Sequence, residues 1–122
     1  MKEITRKVIF GDKLGGKILG FPTANLRYYK KDKIKFGVWA ILARDKNKKY
    51  KGVAFVGSSY IFGRKKPKIE VHLFNFRKNL YGKKINVKFV KYLRKFKKFN
   101  NTKSLIAQIE EDCKKARKYL TV

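Results

Sequence analysis

The chain is poor in the residues that form disulfides, zinc centres and membrane spans. Its 122 residues include a single Cys, Cys113, and a single His, His72, so an intrachain disulfide is excluded and a zinc site is not expected. No apolar run approaches the roughly 20 residues that a membrane helix requires, and residues 1–10 lack a signal-peptide core. We therefore expect one compact cytoplasmic domain over residues 1–122, monomeric and without a membrane partner.

Acidic residues are also scarce. Eight Asp and Glu face 34 Lys and Arg, which gives a net charge of +26. Such an excess concentrates anions near the surface, so nucleotides, nucleic acid and anionic lipid are all candidate partners. Most of the cations are Lys, whereas dedicated nucleic-acid grooves favour Arg. A lysine-rich composition typical of AT-rich genomes is therefore the alternative explanation.

The apolar pattern predicts a mainly β chain with one helix. Five segments alternate or are apolar over strand length: residues 3–10, 37–44, 50–56, 70–76 and 84–93. A C-terminal helix is predicted after a cap at Asn101, with apolar residues at helical spacing: Leu105, Ile109, Cys113, Ala116 and Leu120. The short connections favour antiparallel pairing, and closure into a small barrel would protect the strand edges.

The segment from Gly11 to Ile18 is a near match to the P-loop, a phosphate-binding loop. It has the spacing G-x-x-x-x-G-K, but Ile18 stands where Ser or Thr must ligate Mg²⁺. Gly20 and Pro22 follow, and they argue against the helix that a P-loop requires. We reject a P-loop fold. The glycines can still bring backbone N–H groups close to phosphate, with an ordinary surface loop as the alternative.

Two further segments carry candidate chemistry. Thr23 and Asn25 offer hard oxygens that share a face in an extended segment and suit Mg²⁺, although Pro, Thr and Asn are also common in simple turns. Strand alternation places Glu70 on one face with His72, Phe74 and Phe76. Nearby aromatic rings raise the pKa of a carboxyl group, which suits a general base. The alternative is a structural ion pair with a lysine such as Lys68.

The order and spacing of these motifs resemble the riboflavin kinase (flavokinase) family. The resemblance runs from Val8 to Leu120 and includes G-F-P-T-A-N-L at 20–26 and E-V-H-L-F-N-F at 70–76. It implies a six-stranded antiparallel Greek-key β-barrel with a C-terminal α-helix. It also implies a Mg²⁺-dependent enzyme that transfers the γ-phosphoryl group of ATP to the 5′-hydroxyl of riboflavin, giving FMN and ADP.

The resemblance also implies roles for individual residues. Glu70 would be the catalytic base, Thr23 and Asn25 would hold the metal and phosphate oxygens, and Arg94 would lie by the flavin. The other implied ATP contacts are Gly15, Gly16, Lys17 and Pro22. Relatives usually have arginines in the glycine loop, where the nearby positions of this chain are Lys13, Leu14, Gly16 and Lys17. The chain has no room for the adenylyltransferase domain of many bacterial relatives, so FAD synthesis is not expected from it.

Two alternatives use the same barrel without this chemistry. One is a basic nucleic-acid-binding module, which would explain the charge and leave Glu70 unused. The other is a flavin-binding regulator that has lost catalysis. The presence of Thr23, Asn25 and Glu70 together argues against the regulator.

Overall fold

The computed structural model describes residues 1–9, 23–58, 66–76 and 79–120. Within these ranges the chain forms six strands and one α-helix: β1 (Lys2–Ile9), β2 (Ala24–Arg27), β3 (Gly37–Asp45), β4 (Lys48–Gly57), β5 (Lys68–Leu73), β6 (Lys84–Arg94) and α1 (Thr102–Tyr119). A short 3₁₀ helix, Lys30–Asp32, follows β2.

The six strands close into a barrel in the order β1-β2-β5-β4-β3-β6, and every neighbouring pair is antiparallel. Strands β3, β4 and β5 are consecutive neighbours, and β6 returns to lie beside β3, which is a Greek-key arrangement. The expected six-stranded antiparallel barrel with a C-terminal helix is confirmed.

Strand β2 is the element that the sequence pattern did not predict. Its four residues pair with β1 on one side and with β5 on the other, with Leu26 opposite Val8 and Asn25 opposite Glu70. The segment around Thr23 and Asn25 is typical of a turn, so its extended conformation comes from pairing with two other strands.

Strand β5 is shorter than predicted, because it ends at Leu73 and the chain turns at Phe74 and Asn75. Asn75 adopts a φ of 56°, a left-handed conformation that Asn tolerates better than most residues. The prediction of a strand over 70–76 was therefore wrong at its C-terminal end.

The barrel has an apolar interior and a second core beneath the helix. Interior side chains from every strand are buried, among them Val8, Leu26, Ile41, Val56, Ile69 and Phe89. Helix α1 covers Ala40 and Val53 with the apolar face that the sequence predicted. Its cap is also confirmed, since the Ser104 amide donates to Asn101 Oδ1 at 2.8 Å. Burial raises the pKa of the Cys113 thiol to about 11, so Cys113 serves packing.

A partly buried ion pair joins the 3₁₀ helix to β1. Arg6 donates from Nη1 to Asp32 Oδ2 at 2.7 Å and from Nη2 to Oδ1 at 3.0 Å. The amide of Tyr29 also donates to Asp32 Oδ2, at 2.9 Å. The Arg6 guanidinium and this amide hold the pKa of the buried Asp32 below its usual value of 3.8.

Replacing Asp32 by Asn should lower the free energy of unfolding by about 1–3 kcal/mol at pH 7, because Arg6 loses its charged partner. A carboxylate with a lowered folded-state pKa stabilises the fold above its unfolded-state pKa and loses that effect as the pH falls through the folded-state value. Urea unfolding should therefore show the difference between Asp32→Asn and wild type shrinking below about pH 4.

Asp45→Asn is the matched control, since its ion pair with Lys83 is long, at 3.7 Å, and Lys83 is 52% exposed. A pair of this length with one largely exposed partner should contribute less than about 1 kcal/mol. A destabilisation by Asp32→Asn that does not change with pH would contradict the assignment.

Candidate active site

Asn25 and Glu70 lie directly opposite each other on the paired strands β2 and β5. Their neighbours Leu26, Ile69 and Val71 point into the barrel, so both polar side chains face outwards. Asn25 is 6% exposed, and the Glu70 side chain is 18% exposed. The barrel therefore brings together two residues that are far apart in the sequence and sets them in a largely desolvated position.

Lys68 joins these two residues. Its Nζ lies 2.8 Å from Asn25 Oδ1 and 3.0 Å from Glu70 Oε1. Lys68 precedes Glu70 by two residues on β5, so the two side chains share a face. The pairing of Lys68 with Glu70 is the structural alternative that the sequence left open, and it is confirmed. The Lys68 ammonium therefore bridges β5 and β2.

Thr23 precedes β2 and is half-buried. The other predicted nucleotide contacts, Gly15, Gly16, Lys17 and Pro22, lie outside the described residues, so those assignments stay predictions.

The described part of the chain has no group of three or more His, Cys, Asp or Glu that could hold a metal ion. A magnesium site here would instead use the neutral oxygens of Thr23 and Asn25, with phosphate oxygens and water as the other ligands. The Asn25 side chain fits a cation, because its Oδ1 already accepts a hydrogen bond from the positively charged Lys68 ammonium.

The aromatic surroundings of Glu70 differ from the predicted set. His72 contacts Phe74, with ring centroids 5.9 Å apart, and Phe74 is buried in the core beneath α1. Phe76 instead packs on Tyr50 and the barrel interior. The predicted common face of Glu70 and Phe76 was wrong because alternation stops where β5 ends.

Arg94 is the last residue of β6 and lies in the same lateral row as Glu70. The row runs from Glu70 to Phe55, then to Val38, then to Arg94. Three strand spacings separate Arg94 from Glu70, about 14 Å around the barrel. The two residues therefore do not act on one atom, and only an extended ligand can contact both.

The Arg94 guanidinium is held by a buried carboxylate of α1. Arg94 Nε lies 2.8 Å from Asp112 Oδ1, and Nη2 lies 2.7 Å from Oδ2. Gln108 Nε2 also donates to Asp112 Oδ1, at 3.1 Å. Asp112 is fully buried. This bidentate pair anchors the helix to the barrel and fixes the orientation of the guanidinium.

An aromatic wall formed by Phe36, Tyr92 and Phe96 lies at the same end of the barrel. The rings of Phe36 and Phe96 lie against Gly57, where an added Cβ would come within 2.6 Å of Phe96. The Tyr92 hydroxyl donates to the Phe36 carbonyl oxygen at 2.8 Å. Phe36 remains 43% exposed, so a planar ligand can reach its ring.

A family model described as "Flavokinase: Riboflavin kinase" matches residues 2–120. The chain belongs to the riboflavin kinase family. Two similar relatives carry the name bifunctional riboflavin kinase/FMN adenylyltransferase. The protein from Buchnera aphidicola subsp. Schizaphis graminum is 38% identical over 98% of this chain and 39% of its own length. The protein from Bacillus subtilis is 38% identical over 93% of this chain and 37% of its own length.

A third relative, from Bacillus subtilis, is named RNA-binding riboflavin kinase RibR and is 34% identical over 92% of this chain and 48% of its own length. Riboflavin kinase from Trypanosoma brucei has the same fold, with a TM-score of 0.67, 20% identity and coverage of 97% of this chain and 78% of its own. The chain spans less than two fifths of the length of the bifunctional relatives described above. Within the described ranges, no helix is long and apolar enough to cross a membrane.

Asp112 belongs to the motif series that resembles the riboflavin kinase family, but the sequence predicted no role for it. A signal was present, because Asp112 falls on the helix face that carries Ile109, Cys113 and Ala116. A carboxylate on an apolar face requires a buried partner. The identity of that partner, Arg94, depends on how the helix packs on the barrel.

Replacing Asp112 by Asn should lower the free energy of unfolding by about 3–5 kcal/mol, because it leaves a desolvated guanidinium without its countercharge. Hydrogen exchange of the α1 amides should also become faster, since the pair anchors the helix. Thermal unfolding and amide exchange, measured beside the exposed control Glu111→Gln, test this. Stability within about 0.5 kcal/mol of wild type would show that the pair does not anchor the helix.

Proposed function

We propose that this chain is a riboflavin kinase, which transfers the γ-phosphoryl group of ATP to the 5′-hydroxyl of riboflavin and releases FMN and ADP. The observation that carries the proposal is the placement of Glu70 opposite Asn25, with the Lys68 ammonium between them. Membership of the riboflavin kinase family supplies the reaction class. FMN adenylylation, which the names of the bifunctional relatives also include, is not proposed for this chain.

Glu70 acts as the general base. Its carboxylate accepts the proton of the 5′-hydroxyl while that oxygen forms a bond to the γ-phosphorus of ATP. The bond from the γ-phosphorus to the oxygen bridging to the β-phosphorus breaks, and ADP leaves with its electron pair. The protein takes little direct part in the bond changes, so the rate depends on how well it positions the two substrates and neutralises the phosphate charge. The pairing of β5 with β2 fixes the backbone of Glu70, which supports a role for its carboxylate at a defined position.

Thr23 and Asn25 would hold Mg²⁺ through their hydroxyl and amide oxygens. When bound, the ion would neutralise charge on the β- and γ-phosphates. Asn25 is nine-tenths buried and fixed in β2, so its oxygen is positioned before the nucleotide binds. The residues of the glycine loop, Gly15, Gly16 and Lys17, are proposed to cover the phosphates.

Lys68 orients the catalytic carboxylate. In the structure its ammonium contacts Asn25 Oδ1 and Glu70 Oε1 at the same time, which fixes the position of the carboxylate before substrates bind. Lys carries a compact charge on a flexible stem, so the ammonium can turn towards phosphate oxygens when the nucleotide enters.

The aromatic wall and Arg94 are proposed to receive the flavin ring. The exposed ring of Phe36 offers a stacking surface, and aromatic stacking contributes roughly 0.5–1.5 kcal/mol beyond area burial. Asp112 holds the Arg94 guanidinium in one orientation, with Nη1 donating to the Lys95 carbonyl oxygen at 3.1 Å. An extended substrate lying along this end of the barrel contacts the wall at one end and Glu70 at the other.

Glu70→Gln should lower kcat by roughly 10²–10⁴-fold, because the amide keeps the shape of the side chain but cannot accept the proton. FMN and ADP formation from riboflavin, ATP and Mg²⁺, followed by chromatography, measures the effect. Glu110→Gln, an exposed carboxylate on α1, is the control and should retain full activity. A Glu70→Gln variant with near-wild-type kcat would exclude Glu70 as the base. Riboflavin binding without any turnover by the wild-type chain would favour the non-catalytic regulator.

Lys68→Met should lower kcat/KM about 10–100-fold, since a hydrogen bond to a charged group contributes about 1.5–3 kcal/mol. Lys68→Arg should recover part of the loss because it keeps the positive charge. Asn25→Ala should raise KM for Mg·ATP, because Asn25 is a proposed ligand of Mg²⁺. Steady-state kinetics with varied Mg·ATP, and with the exposed Lys66→Met as control, measure these effects. Unchanged kcat and KM in Lys68→Met would show that the ion pair is structural only.

A further inference from the structure

A basic hollow of about 510 Å³ lies on the outer surface of the barrel, formed by β1, β3, β4, β6 and the turn between β3 and β4. Four cationic residues line it: Arg44, Lys46, Lys49 and Lys84. All four are exposed, and no carboxylate is among the lining residues. The hollow is therefore a site of concentrated positive potential that attracts anions.

Neutral polar side chains lie between the cations. Thr5 is opposite Asn86 on β6, and Asn86 is opposite Arg44 on β3. Asn86 Nδ2 donates to Thr5 Oγ1 at 3.0 Å, and Asn47 lines the hollow at the hairpin turn. Strand pairing thus holds hydroxyl, amide and cationic groups in one row that spans four strands, about 14 Å across.

The chemistry of this row identifies the kind of anion. A single phosphate requires converging, partly buried donors, whereas these cations are exposed and spread over three strands and a turn. A nucleotide base or an unpaired nucleic-acid strand requires aromatic stacking surfaces, and none lines the hollow. Several cationic side chains at separate positions can instead each contact a different phosphate of a nucleic-acid backbone. Amide and hydroxyl groups between them match the 2′-hydroxyls that A-form RNA displays in its wide, shallow minor groove.

The basic hollow is remote from the candidate active site. On β4, Lys49 in the hollow is six residues before Phe55, which lies opposite Glu70. Six residues of a strand span about 20 Å. A ligand in the hollow therefore leaves Glu70 and its neighbours accessible, and its binding does not depend on the proposed kinase activity.

We propose that the basic hollow binds the ribose-phosphate backbone of double-helical RNA, without reading base sequence. Each phosphate that a cation contacts releases condensed counterions, so binding must weaken steeply with salt. Substituting a residue that contacts phosphate changes the salt dependence of binding strongly, whereas substituting a lysine elsewhere does not. The salt dependence therefore distinguishes binding in the hollow from attraction by the net charge of the protein.

The test variant combines Lys46→Gln, Lys49→Gln and Lys84→Gln in the full chain. Its affinity for a duplex RNA of arbitrary sequence is measured at several salt concentrations by fluorescence anisotropy. We expect at least a tenfold loss of affinity at low salt and a decrease of about 2–3 in the slope of log K against log salt, for three lost phosphate contacts. An unchanged thermal unfolding temperature shows that the variant is folded.

The matched control combines Lys98→Gln, Lys103→Gln and Lys114→Gln, which removes the same charge from exposed positions outside the hollow. The control should keep most of the affinity and slope. An equal loss in both variants would overturn the proposal, since binding would then follow net charge alone. Equal affinity for a DNA duplex of the same sequence, or displacement of RNA by inorganic phosphate at matched ionic strength, would also overturn it.

Discussion

Closure of the barrel depends on β2, which has only four residues and pairs with β1 on one side and β5 on the other. Without it, β1 and β5 would expose rows of backbone donors and acceptors that require partners. The same pairing sets Asn25 opposite Glu70 and fixes the direction in which both side chains point. The strand that completes the fold therefore also assembles the candidate active site.

Two of the eight acidic side chains join elements of the fold through arginine, while others, such as Glu110 and Glu111, are exposed. Asp32 joins the 3₁₀ helix to Arg6 of β1, and Asp112 joins α1 to Arg94 of β6, each through a bidentate contact. Glu70 instead pairs with a lysine, Lys68. The guanidinium is a rigid fork that fixes geometry, whereas the ammonium is a point charge that can exchange partners. The two arginine pairs are therefore suited to fixing the fold, and the proposed mechanism uses the lysine pair because its ammonium can turn.

Local patterns were sufficient for most of the fold and insufficient for most of the site. A continuous apolar run predicted the strand that contains Ile41, and alternation predicted the strand that contains Val87. Apolar spacing with the Asn101 cap predicted α1. These signals lie within each element. They failed at β2, whose conformation comes from its partners, and at Phe76, which follows a turn. The bridge from Lys68 to Asn25 depends on the register between β2 and β5, which no single segment encodes. The motif resemblance predicted roles for Asn25 and Glu70, and the sequence offered Lys68 as a partner of Glu70, but neither predicted the contact of Lys68 with Asn25.

Product analysis of the unmodified chain tests the central claim most directly. Purified protein is incubated with riboflavin and ATP, with and without Mg²⁺, and FMN and ADP are quantified by chromatography. The account predicts FMN and ADP in equal amounts, and neither above background when Mg²⁺ is removed. ATP hydrolysis without FMN, or no FMN with ATP, CTP or GTP as donor, would contradict it.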